Sequence, residues 1–134
     1  MRIAIDTNVL VRFLTQDDEA QYQQAYALFQ HPHLYVATTV FLETEWVLRY
    51  SYKYDAPDII RAFRMVLGLP NIEAEDAKRL ASALTWHQAG MDFADALHLA
   101  SSQACSMLYT FDRDFAKKGE NVGICTVKEL GKTP

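Results

Sequence analysis

Arg2-Ile3-Ala4-Ile5-Asp6-Thr7-Asn8-Val9-Leu10 opens with a short apolar run that halts at an acid and passes into a helical pattern. The same figure returns near the other end, where Leu108-Tyr109-Thr110-Phe111 runs into Asp112. Working outward from these two stretches, strand and helix patterns alternate. Strands are expected over residues 2–5, 34–37, 71–73, 107–111 and 124–127. Helices are expected over 7–14, from the Asp17-Asp18-Glu19 start to about 29, from a Thr38 or Thr39 cap to about 52, and over 55–67, 76–88 and 92–104. The 92–104 segment places Phe93, Ala96, Leu97 and Ala100 at i, i+3, i+4 and i+7, and a short terminal helix can follow the last strand. Such alternation implies βαβ crossovers. The expected fold class is therefore α/β, a three-layer sandwich with a central, mostly parallel sheet flanked by helices.

The chain has 134 residues, half of them hydrophobic, which fits one domain, 1–134, with a real core. No repeat, low-complexity stretch or Gly/Ser linker divides it, and the prolines stand between periodic segments or at the end. No apolar run approaches the roughly 18 residues of a membrane span, and Asp6 interrupts any apolar leader. Two cysteines, Cys105 and Cys125, make no disulfide framework, so a cytoplasmic location is expected. Thirteen Lys+Arg against 17 Asp+Glu give a net charge of −4, which argues against a basic coat for DNA or membranes. The excess is concentrated: without Asp6, Asp95, Asp112, Asp114 and one helix glutamate, 12 acids face 13 bases.

In open parallel sheets, ligands gather beyond the carboxyl ends of the strands. Asp6 and Asp112 both stand there, and would share one sheet edge if their strands are neighbours. Asp114 follows on the exit loop. Two unit charges 4 Å apart repel by about 4 kcal/mol at an effective dielectric of about 20. A cluster of this kind must be protonated, spread apart, or filled by a hard divalent cation such as Mg²⁺ or Mn²⁺. Each acid also has a plain structural reading as a helix cap. Asp92 and Asp95 lie in the first turn of their helix, where the dipole favours acids. Glu43 and Glu45 lie within Val40-Phe41-Leu42-Glu43-Thr44-Glu45-Trp46-Val47-Leu48, apolar nearly all round, where an acid needs a partner or an ion. Periodicity leaves open which of the two points inward. Arg12, Arg49, Lys53, Arg64, Arg113, Lys117 and Lys118 are candidate phosphate contacts.

Four motifs in order, Ile5-Asp6-Thr7-Asn8-Val9-Leu10, Leu42-Glu43-Thr44-Glu45-Trp46-Val47-Leu48, Asp92-Phe93-Ala94-Asp95-Ala96-Leu97-His98-Leu99-Ala100 and Thr110-Phe111-Asp112-Arg113-Asp114-Phe115, resemble a PIN domain over essentially the whole chain. More narrowly they resemble the toxin nucleases of bacterial VapBC toxin–antitoxin pairs. The resemblance implies a Mg²⁺- or Mn²⁺-dependent endoribonuclease. It assigns Asp6, Glu43, Asp95 and Asp112 to catalysis and metal binding, adds Asp114 as a supplementary metal ligand, and selects Glu43 over Glu45. Thr7 and Asn8 correspond to polar residues that hold the first acid or a water, and Thr110 to a neighbour of the fourth acid. Asp92 and His98 are possible assistants. The same resemblance implies a homodimer and a cognate antitoxin lying across the site. RNA is the expected substrate, with tRNA preferred over an rRNA loop. Tyr22, Tyr26, Phe29, Tyr50, Tyr52 and Tyr54 could face such partners, and core packing is expected for at least half of them.

Other chemistries fit less well. The histidines and cysteines are too dispersed for zinc, with His31 and His33 in a surface turn, His98 packed or capping, and Cys105 a buried small residue. No nucleotide-binding glycine motif is present. A phosphatase using Asp6 as nucleophile would want a second Asp where Asn8 stands, and a non-catalytic binding module leaves five matched acids without a role.

Overall fold

The computed structural model describes residues 1–131, which form two compact units, one over residues 1–77 and one from Lys78 onward. The first unit runs β1 (Ile3–Ala4), α1 (Thr7–Thr15), α2 (Glu19–Leu28), β2 (Leu34–Val36), α3 (Thr38–Tyr50), α4 (Ala56–Leu67) and β3 (Ile72–Ala74). Its strands pair in parallel in the order β1-β2-β3, with Ile3 opposite Leu34 and Leu34 opposite Ile72. Asp18 and Asp55 accept the first free N–H groups of α2 and α4, at Gln21 and Asp58, and Pro57 sits in the first turn of α4, where no intrahelical N–H is needed. α3 starts differently from the expectation. Neither Thr38 nor Thr39 caps it; Ala37 holds the cap position, and the Thr38 N–H donates to Glu75 Oε1 at 2.9 Å.

Leu34, Val36, Phe41, Leu48, Ile59, Phe63 and Val66 are fully buried, and Phe41 meets Phe63 edge-on at 5.2 Å, joining α3 to α4. Phe13 stacks on Phe29 at 3.8 Å, fixing the end of α2 on α1. Of the six aromatics expected to be core in at least half of cases, only Phe29 is buried. The tyrosines keep their hydroxyls toward the surface; Tyr52 donates to Asp17 at 2.7 Å.

The second unit contains most of α5 (Ala77–Gln88), then α6 (Phe93–Ser101), β4 (Met107–Thr110), α7 (Arg113–Val122) and β5 (Thr126–Glu129). β4 and β5 pair in parallel, Met107 opposite Thr126 and Thr110 opposite Glu129. Gly90 ends α5 region with φ 113°, a conformation open to glycine at little cost. α6 stops three residues earlier than its pattern suggested, because Ser102 turns its hydroxyl onto the His98 carbonyl at 2.8 Å. β5 lies two residues later than expected. Phe93, Leu99, Ala83 and Ala96 are fully buried. α7 rests on β5 through Gly119, where an added Cβ would come within 2.5 Å of Val127 Cγ2.

The α/β class with parallel strand pairing and helical cover is that expected from the sequence. No helix follows β5 as far as Gly131, and the rest of the expected terminal helix lies outside the described residues. Among the described residues no helix is long and apolar enough to cross a membrane.

Candidate active site

Asp6 is the N-cap of α1, its Oδ1 accepting from the Val9 N–H at 3.3 Å, and its side chain is exposed. β1 ends two residues before it, at Ala4, so strand end and helix start together fix where this carboxylate stands. Thr7, the next residue, is buried and donates its hydroxyl to Glu43 Oε1 on α3. The threonine therefore holds the helix acid, not the strand-end acid that it follows. Asn8 is exposed and makes no hydrogen bond to Asp6 among the described residues.

The two α3 glutamates are separated by their surroundings. Glu45 is 1% exposed and lies on the face of Phe41, Thr44 and Leu48. Arg49, one turn on, grips both its oxygens through Nε at 2.7 Å and Nη2 at 3.1 Å. The buried acid thus has a partner inside its own helix. Glu43 is exposed and its contact is Thr7. Arg12 is also engaged, donating to both oxygens of Asp17 at 3.0 and 3.2 Å and to the Tyr52 hydroxyl at 2.8 Å. The Tyr52 hydrogen bond, followed by that of Thr15, holds the Asp17 carboxyl below the usual aspartate range.

In the second unit the acids gather at two helix starts. Asp92 caps α6, its Oδ2 accepting from the Asp95 N–H at 3.2 Å, and Asp112 caps α7, its Oδ1 accepting from the Phe115 N–H at 3.0 Å. The Asp112 N–H donates to Thr110 Oγ1 at 3.0 Å, which ties this acid to the end of β4. Asp95 lies in the first turn of α6 and Asp114 in that of α7. The Asp95 carboxyl is pushed above its ordinary range, first by partial burial and then by the charges of Asp92 and Asp112, with Asp114 adding to them and His98 opposing. His98 is exposed in the last turn of α6, not packed or capping as expected; one turn along the helix it faces Asp95 electrostatically.

Two supports here escaped the sequence reading. Lys118 Nζ lies 3.0 Å from Asp114 Oδ2 and donates to the Gly90 carbonyl at 2.7 Å, so α7 is tied to the turn before α6. His87 donates Nδ1–H to the Met91 carbonyl at 2.6 Å, holding the residue that precedes Asp92. The Asp114/Lys118 spacing of i, i+4 is a visible helix-pair signal; the Gly90 end of the contact has none. Cys105, expected to be buried, is exposed, because α6 has already ended there; Cys125 is the buried one. His33 pairs with Glu73 at 2.7 Å on the surface.

Chemically, the acids of the second unit offer several carboxylate oxygens, opposed by Lys118 at Asp114 and by His98 at Asp95. That donor set suits a hard divalent cation. Among the described residues, no three His, Cys, Asp or Glu side chains are drawn together tightly enough to hold a metal ion as they stand.

Among curated proteins, none matches the sequence. Among solved structures, the Mycobacterium tuberculosis toxin VapC20, described as cleaving the Sarcin-Ricin loop, is similar over 95% of this chain and 98% of its own, with 20% identity and a TM-score of 0.42. The PIN domain family matches residues 3–121, a span that includes all four quoted motifs and every acid of the candidate site. The chain belongs to the PIN domain family.

Proposed function

We propose that this PIN domain, acting as one functional domain over residues 1–134, is a Mg²⁺- or Mn²⁺-dependent endoribonuclease, the toxin of a VapBC-type pair. The observation that carries the reading is the gathering of Asp92, Asp95, Asp112 and Asp114 at the starts of α6 and α7, where partial burial and then the charges of Asp92 and Asp112 push the Asp95 carboxyl up. A folded protein that keeps such repulsion has a use for it, and cation binding relieves it. Asp6, Glu43, Asp95 and Asp112 are the proposed ligands and catalytic acids, with Asp114 as a further ligand. When bound, divalent ions would supply charge to the phosphodiester and acidify a water. The chain's own residues do the rest. Helix capping fixes Asp6 and Asp112 at their strand ends. Thr7 holds one oxygen of Glu43, which leaves that carboxylate oriented to accept a proton from a water. Lys118 steadies Asp114, and a supplementary role suits an acid already shared with a lysine.

The motif resemblance also supports a homodimer, a cognate antitoxin as partner, action in the cytosol and tRNA as the substrate class. The test is cleavage of a total tRNA pool by the purified chain, freed of copurified protein, with Mg²⁺, Mn²⁺ or EDTA. Discrete fragments should appear with either ion and vanish with EDTA, and Asp6→Asn, Glu43→Gln, Asp95→Asn and Asp112→Asn should each abolish them. Cutting of rRNA or mRNA instead would change only the substrate. A folded, metal-binding chain that cuts no RNA would remove the nuclease reading.

A further inference from the structure

Between α7 and β5 lies an open groove of about 730 Å³. Its floor is Val127, buried under α7 because Gly119 has no side chain to hold the helix away. Arg113 and Lys117 stand one turn apart on the α7 wall, and Lys128 comes from β5; all three are exposed. Among the described residues these cations have no hydrogen-bond or ion-pair partner, whereas Arg2, Arg12, Arg49, Arg61 and Lys118 are each held by a carboxylate. Glu120 and Glu129 also line the groove, yet no ion pair joins them to the three cations. The groove therefore keeps a positive excess in a chain whose net charge is −4.

Resting on the nuclease reading, we propose that this groove seats the RNA phosphodiester backbone flanking the cut. Asp112 and Asp114 repel a phosphate, and they bracket Arg113 in sequence. A polyanion brought to the start of α7 needs uncommitted cations close by, and the wall of the same helix supplies them. Arg and Lys contacts of this kind set position without reading bases. Charge complementarity thus favours a nucleic-acid backbone, which carries a charge at every nucleotide, over a protein segment, which matches only where acidic side chains are clustered.

The experiment uses the full chain carrying Asp6→Asn, so that RNA stays intact, and measures binding of labelled oligouridine across a salt series. Arg113→Gln, Lys117→Gln and Lys128→Gln should each weaken binding about fourfold at 0.15 M salt, and together about fiftyfold, with the log–log salt slope falling by about 2. Lys117→Arg should restore the Lys117→Gln loss, and an unchanged melting temperature separates these effects from misfolding. With the acids intact, Lys117→Gln with Lys128→Gln should raise KM for RNA and leave kcat alone. Unchanged affinity and salt slope in the triple variant, or no oligouridine binding at low salt, overturns the proposal. So does tighter binding of a polyglutamate peptide lost on the same substitutions, which assigns the groove to an acidic protein partner. Cleavage that survives in the triple variant with binding unaltered leaves the nuclease reading standing and removes the groove. Binding lost in the triple variant beside a wild type that cuts nothing does the reverse.

Discussion

Glu45 and Asp95 are two helix acids drawn out of water, and their surroundings treat them in opposite ways. Glu45 is almost wholly buried, but Arg49 on the same helix meets both its oxygens, so its charge is balanced within one turn. Asp95 is less buried, yet its neighbours are Asp92, Asp112 and Asp114; His98 opposes their effect on it, and Lys118 pairs with Asp114 alone. Burial alone therefore does not mark a functional acid. On the proposed reading, the mark is a charge whose balance the chain itself leaves unmade.

The contrast is tested first where it is strongest. Arg49→Met should leave Glu45 buried and uncompensated and cost about 3–5 kcal/mol, read by urea denaturation; a loss under about 1 kcal/mol would mean that water reaches Glu45 after all. Asp95→Asn should do the converse. RNA cleavage should fall by about a hundredfold or more, while the metal-free chain should melt no lower than wild type.

The pH dependence sharpens the same contrast through its sign. Asp95 sits above its ordinary value of 3.8, so rising pH through the window between the two values lowers stability, and above that window the penalty is fully present. Asp17 sits below the same value; its contribution is present above 3.8 and is lost as pH falls toward its lowered value. Urea titrations across this range should show a stability gain on Asp95→Asn at neutral pH and a loss on Asp17→Asn.

Smaller effects follow on the first unit's supports. Thr7→Val removes the Glu43 hydrogen bond and should cost about 1 kcal/mol of stability while lowering kcat about tenfold; Thr7→Ser should restore both. Glu75→Ala should cost about 1 kcal/mol or less through the lost N–H acceptor at Thr38, with chemistry retained.

Much of this molecule was written in local pattern. The β1 and β4 runs end at acids, the α4 and α6 starts carry acidic caps, and each is readable because its partners lie within a few residues. α7 was missed although Phe115, Gly119 and Val122 fall at i, i+4 and i+7: the segment is hydrophilic on average and buries only Phe115 and Gly119, so it passes for the loop in which Asp114 was expected. The division of labour between Glu43 and Glu45 was hidden for a different reason. It depends on which face of α3 meets the core and on Thr7, 36 residues from Glu43. The Glu75 acceptor for α3 and the Gly90 contact of Lys118 are likewise tertiary and leave no periodic trace.

An N-cap carboxylate has already committed one oxygen to its own helix, and Asp92 and Asp112 have done so through Oδ2 and Oδ1 respectively. Each such oxygen keeps a second lone pair, but the hydrogen bond fixes how the carboxylate is turned. On the proposed metal-dependent reading, Asp112 would meet an ion with a carboxylate already turned by its own cap, so the orientation of a ligand is set by where its helix begins.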